Sequence, residues 1–171
     1  MTLAGFNALP ADAAREALLK CCGSSRWADA MVASRPFPSM DALHAAATAK
    51  WNALGTEDFL EAFSHHPRIG DINSLRAKFA STAAWAGEEQ KGTAAASEKT
   101  LAGLAQGNKD YEAKFGHIFL VCATGKSADE MLRILESRLG NDARAEMAIA
   151  AGEQAKITKL RLDKLFSNPG K

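Results

Sequence analysis

Two imidazoles, a guanidinium and a carboxylate crowd into Phe63-Ser64-His65-His66-Pro67-Arg68-Ile69-Gly70-Asp71, around one Pro and one Gly. Pro67 disfavours the α conformation at His66, so a helix leading into this stretch should stop there. Gly70 permits a turn that other residues resist. The spacing predicts a rigid loop that presents His66 at a helix end, with Arg68 and Asp71 placed to tune or orient its ring. An imidazole that titrates near neutrality and is held in this way suits general acid–base chemistry. The competing reading is a loop histidine that only bonds carbonyls at a helix end.

A second candidate lies far along the chain. On a helix of 3.6 residues per turn, Met147, Ala150, Ile157, Leu160 and Leu165 fall on one arc, which should face the core. Arg161 lies in the middle of that arc, with Glu146 and Glu153 near its edge. An arginine pointing inward needs an anionic partner, because an unpaired buried charge is costly. That partner is either a structural carboxylate such as Glu153 or the carboxylate of a ligand, for which the planar guanidinium fork is well suited. Glu88-Glu89-Gln90, after Trp85, adds acidic groups about a helix length beyond His66. On residue types alone that run reads as a solvated face. A metal site built from His65, His66, His117 and a carboxylate is conceivable. Adjacent histidines point in different directions, however, and the chain has no i,i+4 His pair or Cys cluster. It also has no Gly-rich phosphate loop, Ser-His-Asp order or dinucleotide fingerprint. The expectation is chemistry without metal or cofactor, in which the substrate supplies its own electron sink.

The elements that must position these groups read as helices. With 171 residues the chain is most simply one domain, spanning 1–171 and large enough to bury a core. A net charge of +1 excludes the strong basic excess of a dedicated nucleic-acid binder. No apolar run approaches the roughly 20 residues that span a bilayer. The first residues lack the basic head and apolar stretch of a secretory signal, and the tail carries no peroxisomal tripeptide, so a cytoplasmic location is expected. Cys21, Cys22 and Cys122 form no metal spacing and are expected to be small buried thiols.

Pro10 and Gly23 bracket a helix over 11–22. Ser39 caps one that runs to Leu54, with Gly55 as its stop, and Thr56-Glu57-Asp58 opens the next. Residues 81–106 read as helix, and 108–115 as a shorter separate one ending at Gly116. Ser127-Ala128-Asp129-Glu130 has the form of a capping box for a helix to Leu139, and Asn141 caps the longest helix, to about Phe166. The apolar run 118–123 has no strand partner and reads as buried helix or extended core. The fold class expected is all-α, a single compact domain of about seven or eight helices.

Several blocks in this order and spacing resemble a known family. They are His66-Pro67-Arg68-Ile69-Gly70, Trp85-Ala86-Gly87-Glu88-Glu89-Gln90, and Asn108-Lys109-Asp110-Tyr111 leading to Phe115-Gly116-His117-Ile118-Phe119-Leu120-Val121-Cys122-Ala123-Thr124-Gly125-Lys126-Ser127. Arg138-Leu139-Gly140-Asn141 follows, and then Glu153-Gln154-Ala155-Lys156-Ile157 with Leu160-Arg161-Leu162. Together they are similar to 2-oxo-4-hydroxy-4-carboxy-5-ureidoimidazoline (OHCU) decarboxylase, an enzyme of urate breakdown. The resemblance implies an all-α homodimer, without metal or organic cofactor, that converts OHCU to (S)-allantoin and carbon dioxide. It implies that His66 is the essential histidine and Glu89 its partner carboxylate. Pro67 and Gln90 would hold the ring and ureido groups, main-chain groups around Phe119 and Val121 would touch the ligand, and Arg161 would anchor it. One position departs. Ala86 stands where the family often has a serine that bonds the ligand, a contact worth about 0.5–1.5 kcal/mol. The rival classes are a non-catalytic helical ligand-binding or interaction domain and a metal-dependent hydrolase using His65, His66 and His117.

Overall fold

The computed structural model describes residues 1–67, Asn73, Leu75 and 94–167, with side chains in the last stretch from Glu98 onward. The described residues form eight helices and no strand: α1 Leu3–Ala8, α2 Ala11–Cys21, α3 Ser25–Ala33, α4 Met40–Asn52, α5 Thr56–Ser64, α6 Ala94–Phe115, α7 Ala128–Leu139 and α8 Ala143–Phe166. They divide into two compact units, Met1–His66 with Ile149–Lys171, and Pro67–Ala148.

In the first unit, capping serines and a threonine set where helices start. The Thr2, Ser24 and Ser39 hydroxyls accept from the amides of Gly5, Trp27 and Ala42. Each such cap contributes about 1 kcal/mol. The helices bury Phe6, Leu18, Trp27, Met31, Leu43, Trp51, Phe63 and Leu162. The two indoles also tie helices together: Trp27 Nε1 donates to Ala47 O at 3.1 Å, and Trp51 Nε1 to Ala151 O at 2.9 Å. Helix α4 stops at Asn52, short of the expected Leu54, and Gly55 caps α5 instead of ending α4. The short helices α1 and α3 were not expected, since each is too brief to show a strong period and owes its start to a cap.

The second unit is built on Leu75, Leu101, Leu104, Tyr111, Met131 and Leu135. Here the expected break before Asn108 is absent, and α6 continues through Gly107 to Phe115. Gly103 and Gly107 lie one turn apart against α7. A Cβ added at Gly107 would come within 2.5 Å of Leu135 Cδ2, and one at Gly103 within 3.1 Å of Leu132 Cδ2. The two glycines therefore serve close helix packing, which outweighs their poor helix propensity. Gly107→Ala should lower the melting temperature, because Leu135 is fully buried and overpacking costs about 1–3 kcal/mol. Gly152→Ala on α8 meets nothing within 4 Å and should stabilise by up to about 1 kcal/mol. Parallel thermal melts of the two variants check the contrast.

Residues 118–123 are neither helix nor strand, with Leu120 and Cys122 buried, so the expectation of a buried helix fails there. Without a neighbouring strand, this stretch is fixed by a side chain. Arg138 Nη1 donates to Leu120 O at 2.7 Å, and its guanidinium lies 4.7 Å from the Phe119 ring centroid. Arg138 Nε in turn donates to Glu146 Oε1 at 2.7 Å, alongside the Tyr111 hydroxyl, while Asn141 Nδ2 reaches Glu146 Oε2 at 3.0 Å. Burial alone would raise the Glu146 carboxyl, but the bonds from Arg138, Tyr111 and Asn141 outweigh it and hold the group below its ordinary value. The Tyr111 hydroxyl is pushed up, first by burial and then by its bond to Glu146. Asp142, not Asn141, caps α8, accepting from the Ala145 amide at 2.8 Å.

The buried face of α8 is not the expected apolar arc. Glu146, Ala150, Gln154, Thr158 and Leu162, spaced four apart, are buried, whereas Leu160 is 38% exposed. Polar residues hold these inner positions because each has a partner, which removes the usual cost of burying them.

Candidate active site

His66 sits just past the end of α5, where Pro67 was expected to stop the helix. Its amide donates to Phe63 O at 3.1 Å, and Phe63 is itself buried, so the backbone at His66 is anchored in the core of the first unit. The turn between α2 and α3 passes close by. A Cβ at Gly23 would fall 2.6 Å from the His65 ring, so only glycine leaves room for that imidazole.

Helix α8 supplies the other side of the cluster. His66 Nε2 and Gln154 Oε1 are 2.6 Å apart, and Gln154 Nε2 donates to Thr158 Oγ1 at 3.0 Å. The Thr158 hydroxyl bonds the Cys22 thiol, which extends the chain of contacts to the end of α2. Arg161, one turn after Ile157, donates through Nη1 to Lys20 O at 3.4 Å. Its positive charge reaches His66, Cys21 and Cys22.

These surroundings set the charge states. Burial pushes the His66 imidazolium down from 6.5; the Gln154 bond opposes this, and the positive charges of Arg161 and His65 add to it. The ring is therefore neutral at pH 7, with one nitrogen holding a lone pair. Burial also pushes the Cys21 and Cys22 thiols up to about 11, so both are protonated and poor nucleophiles. The arrangement offers a neutral, half-buried imidazole on a rigid backbone, oriented through a glutamine and lying within the field of a guanidinium. Such a group can accept a proton from a substrate whose negative charge the guanidinium attracts.

Among the expected site residues, His66 and Arg161 are near enough for the guanidinium charge to act on the imidazole ring. Glu153, the alternative partner for Arg161, pairs with Lys156 at 2.7 Å. Phe119 and Val121 lie in the second unit, half-buried against its core. Pro67 is exposed and begins that unit. Glu89 and Gln90 lie outside the described residues, as do Arg68, Gly70, Asp71 and Ala86. His117 is buried, with Nδ1 3.0 Å from Ile118 O and its ring edge-on to Tyr111. No group of three or more His, Cys, Asp or Glu side chains able to hold a metal ion occurs among the described residues. All three cysteines are buried thiols. Gln154 and Thr158 were missed as site residues, although their polar i,i+4 spacing on an otherwise amphipathic helix was a visible signal.

A family model for OHCU decarboxylase matches residues 7–163. The chain belongs to the OHCU decarboxylase family. It is 42% identical over 153 residues to the uric acid degradation bifunctional protein TTL of Arabidopsis thaliana, covering 88% of this chain but 47% of that one. The chain thus spans about half the length of that bifunctional relative. It is 27% identical over 169 residues to the 2-oxo-4-hydroxy-4-carboxy-5-ureidoimidazoline decarboxylase of Haloferax volcanii, covering 98% of both. Among solved structures, an OHCU decarboxylase crystallised in the presence of (S)-allantoin matches with a TM-score of 0.68 and 40% identity, over 88% of this chain and 96% of that one. An (S)-allantoin synthase at 19% identity has the same TM-score, over 96% of this chain and 54% of that one, and shares the fold. The family match runs through both compact units, and the described helices of this OHCU decarboxylase family member include no segment long and apolar enough to cross a membrane.

Proposed function

We propose that this chain decarboxylates OHCU to (S)-allantoin in urate degradation, with His66 as the proton-transferring group. The observation that carries the reading is the neutral His66 held by Gln154 within reach of the Arg161 charge, in a chain whose family match covers residues 7–163. OHCU bears a hydroxyl and a carboxylate on one ring carbon, and the neighbouring carbon carries the ureido group and a C=N bond. When the carbon–carboxylate bond breaks, carbon dioxide leaves, the electron pair moves to the C=N nitrogen, and that nitrogen takes up one proton from water to become N–H. The hydroxyl proton departs as that carbon becomes a carbonyl, and the ureido-bearing carbon gains a hydrogen. The substrate is its own electron sink, so the protein's tasks are to orient the carboxylate, balance charge and deliver a proton to one face.

In this reading neutral His66 takes the hydroxyl proton and returns it at the ureido-bearing carbon, and Arg161 holds the carboxylate. Glu89 is the partner carboxylate of His66, and Pro67, Gln90, Phe119 and Val121 contact the substrate. These roles rest on the family resemblance, as does assembly into a homodimer, which light scattering on the purified chain tests.

The test of the reaction is to add the chain to freshly generated products of urate oxidation and follow optically active allantoin by circular dichroism. No gain in optical activity over the spontaneous reaction overturns the proposal. A non-catalytic binding domain would instead raise its melting temperature with allantoin yet leave that reaction unchanged.

The His66 environment also sets a pH dependence. Because its folded-state value lies below 6.5, the base form persists at pH 6.5, and kcat/KM should have an acidic limb centred below that pH. The same shift makes the native state disfavour protonation. This contribution to stability is complete above pH 6.5 and is lost as pH falls from there towards the folded-state value. A pH–rate profile with its acid limb above 6.5 would contradict the assignment.

A further inference from the structure

We infer that Gln154, itself held by Thr158, is a positioning residue that fixes which nitrogen of His66 carries the hydrogen: Nε2 donates to Gln154, and Nδ1 keeps the lone pair that meets the substrate. The substrate clause rests on the function proposed above, while the assignment of the hydrogen stands on the geometry.

Gln154 is fully buried, an unusual place for an uncharged polar amide. Both of its ends are used. Its carbonyl oxygen lies 2.6 Å from His66 Nε2, and its amide nitrogen donates to Thr158 Oγ1 at 3.0 Å. The Thr158 hydroxyl also meets the Cys22 thiol, and its oxygen accepts from the Gln154 NH2 group. The amide is thereby held with its oxygen towards His66, and an oxygen there accepts only from a protonated Nε2. The groups bearing on the ring among the described residues are Arg161 from α8 and His65 beside it; Arg161 also acts on Cys21 and Cys22, and Glu61 on Cys22. None of these accepts a hydrogen bond from His66 in place of Gln154.

A hydroxyl proton is removed well only when the lone pair points at it. A ring with the opposite tautomer would offer the substrate an N–H instead. The distinction is one of base against donor at the same position.

The test uses the 15N-labelled full chain without substrate, with His66 located by comparison with His66→Asn in long-range proton–nitrogen spectra across pH. Above pH 6.5 the His66 ring should show hydrogen on Nε2 and a lone pair on Nδ1. Thr158→Val, which keeps the volume but removes the acceptor for the amide, should give a mixture of tautomers, and Gln154→Leu a larger one. Gln154→Glu should move the His66 titration midpoint up by about one pH unit or more, because a carboxylate favours the imidazolium. In the OHCU assay the Gln154→Glu acid limb should move with that midpoint, and Gln154→Leu should lower kcat more than it changes KM. A purely structural glutamine would shift melting temperatures and leave the tautomer pattern and midpoint untouched. Hydrogen on Nδ1 in the unaltered chain, or unchanged tautomers in both Gln154→Leu and Thr158→Val, overturns the inference. The expected tautomer in a chain that does not accelerate OHCU decarboxylation would overturn the proposed function and leave the hydrogen assignment standing.

Discussion

Replacing His66 with Asn is expected to slow enzymatic allantoin formation from OHCU by about 10²–10⁴-fold, the range typical of losing a positioned acid–base group. Asn removes the titratable ring yet stays polar; its shorter amide does not reach the Gln154 oxygen that now lies 2.6 Å from Nε2, so a modest fall in melting temperature should accompany a much larger loss in kcat. The measurement is the initial rate of circular dichroism growth at pH 7.5, taken relative to the same mixture without the protein. A variant that retains a rate within a few-fold of the original would remove His66 from the chemistry and leave it as a helix-end residue.

The largest effect on stability is expected far from that residue, at Glu146. This carboxylate has no exposed surface, and Arg138 beside it is 5% exposed. Changing Glu146 to Leu leaves the Arg138 charge buried without its anion, which typically costs about 3–5 kcal/mol. It also takes the acceptor from the Tyr111 hydroxyl and from Asn141. Because Arg138 holds the 118–123 stretch through Leu120, the damage should reach Phe119 and Val121 as well. Denaturant unfolding gives the cost, and a loss under about 1 kcal/mol would show that water or a rearranged partner replaces the pair. Gln in place of Glu146 should be milder, since its carbonyl can still accept from Tyr111 or Arg138.

What could be read from the chain depended on whether a local rule or a distant partner decided the outcome. The stop at His66 was legible because Pro67 constrains its own neighbour. The starts of α4 and α7 were legible because Ser39 and Ser127 bond amides only three residues on. Gly107 was misread because a glycine in a helix carries two meanings, and only the position of Leu135 chooses between them. The inner face of α8 was misread because apolar periodicity was taken as the guide, whereas Glu146 is buried by virtue of bonds from Tyr111 and Arg138, and Gln154 by its bond with His66. Those partners lie between 8 and 88 positions away, with no local signature. Arg161 was expected in the middle of the buried arc, but it is only half-buried beside the true inner face, and its contact with the Lys20 carbonyl could not be foreseen.

The neighbouring thiols at the end of α2 bear on how the molecule will behave at the bench. With both raised to about 11, only roughly one in 10⁴ is ionised at pH 7, so alkylating reagents have almost nothing to attack while the helices are intact. Cys122 is likewise shielded. Labelling by iodoacetamide therefore becomes a clock for spontaneous opening of the native state, read directly by mass spectrometry without any engineered probe.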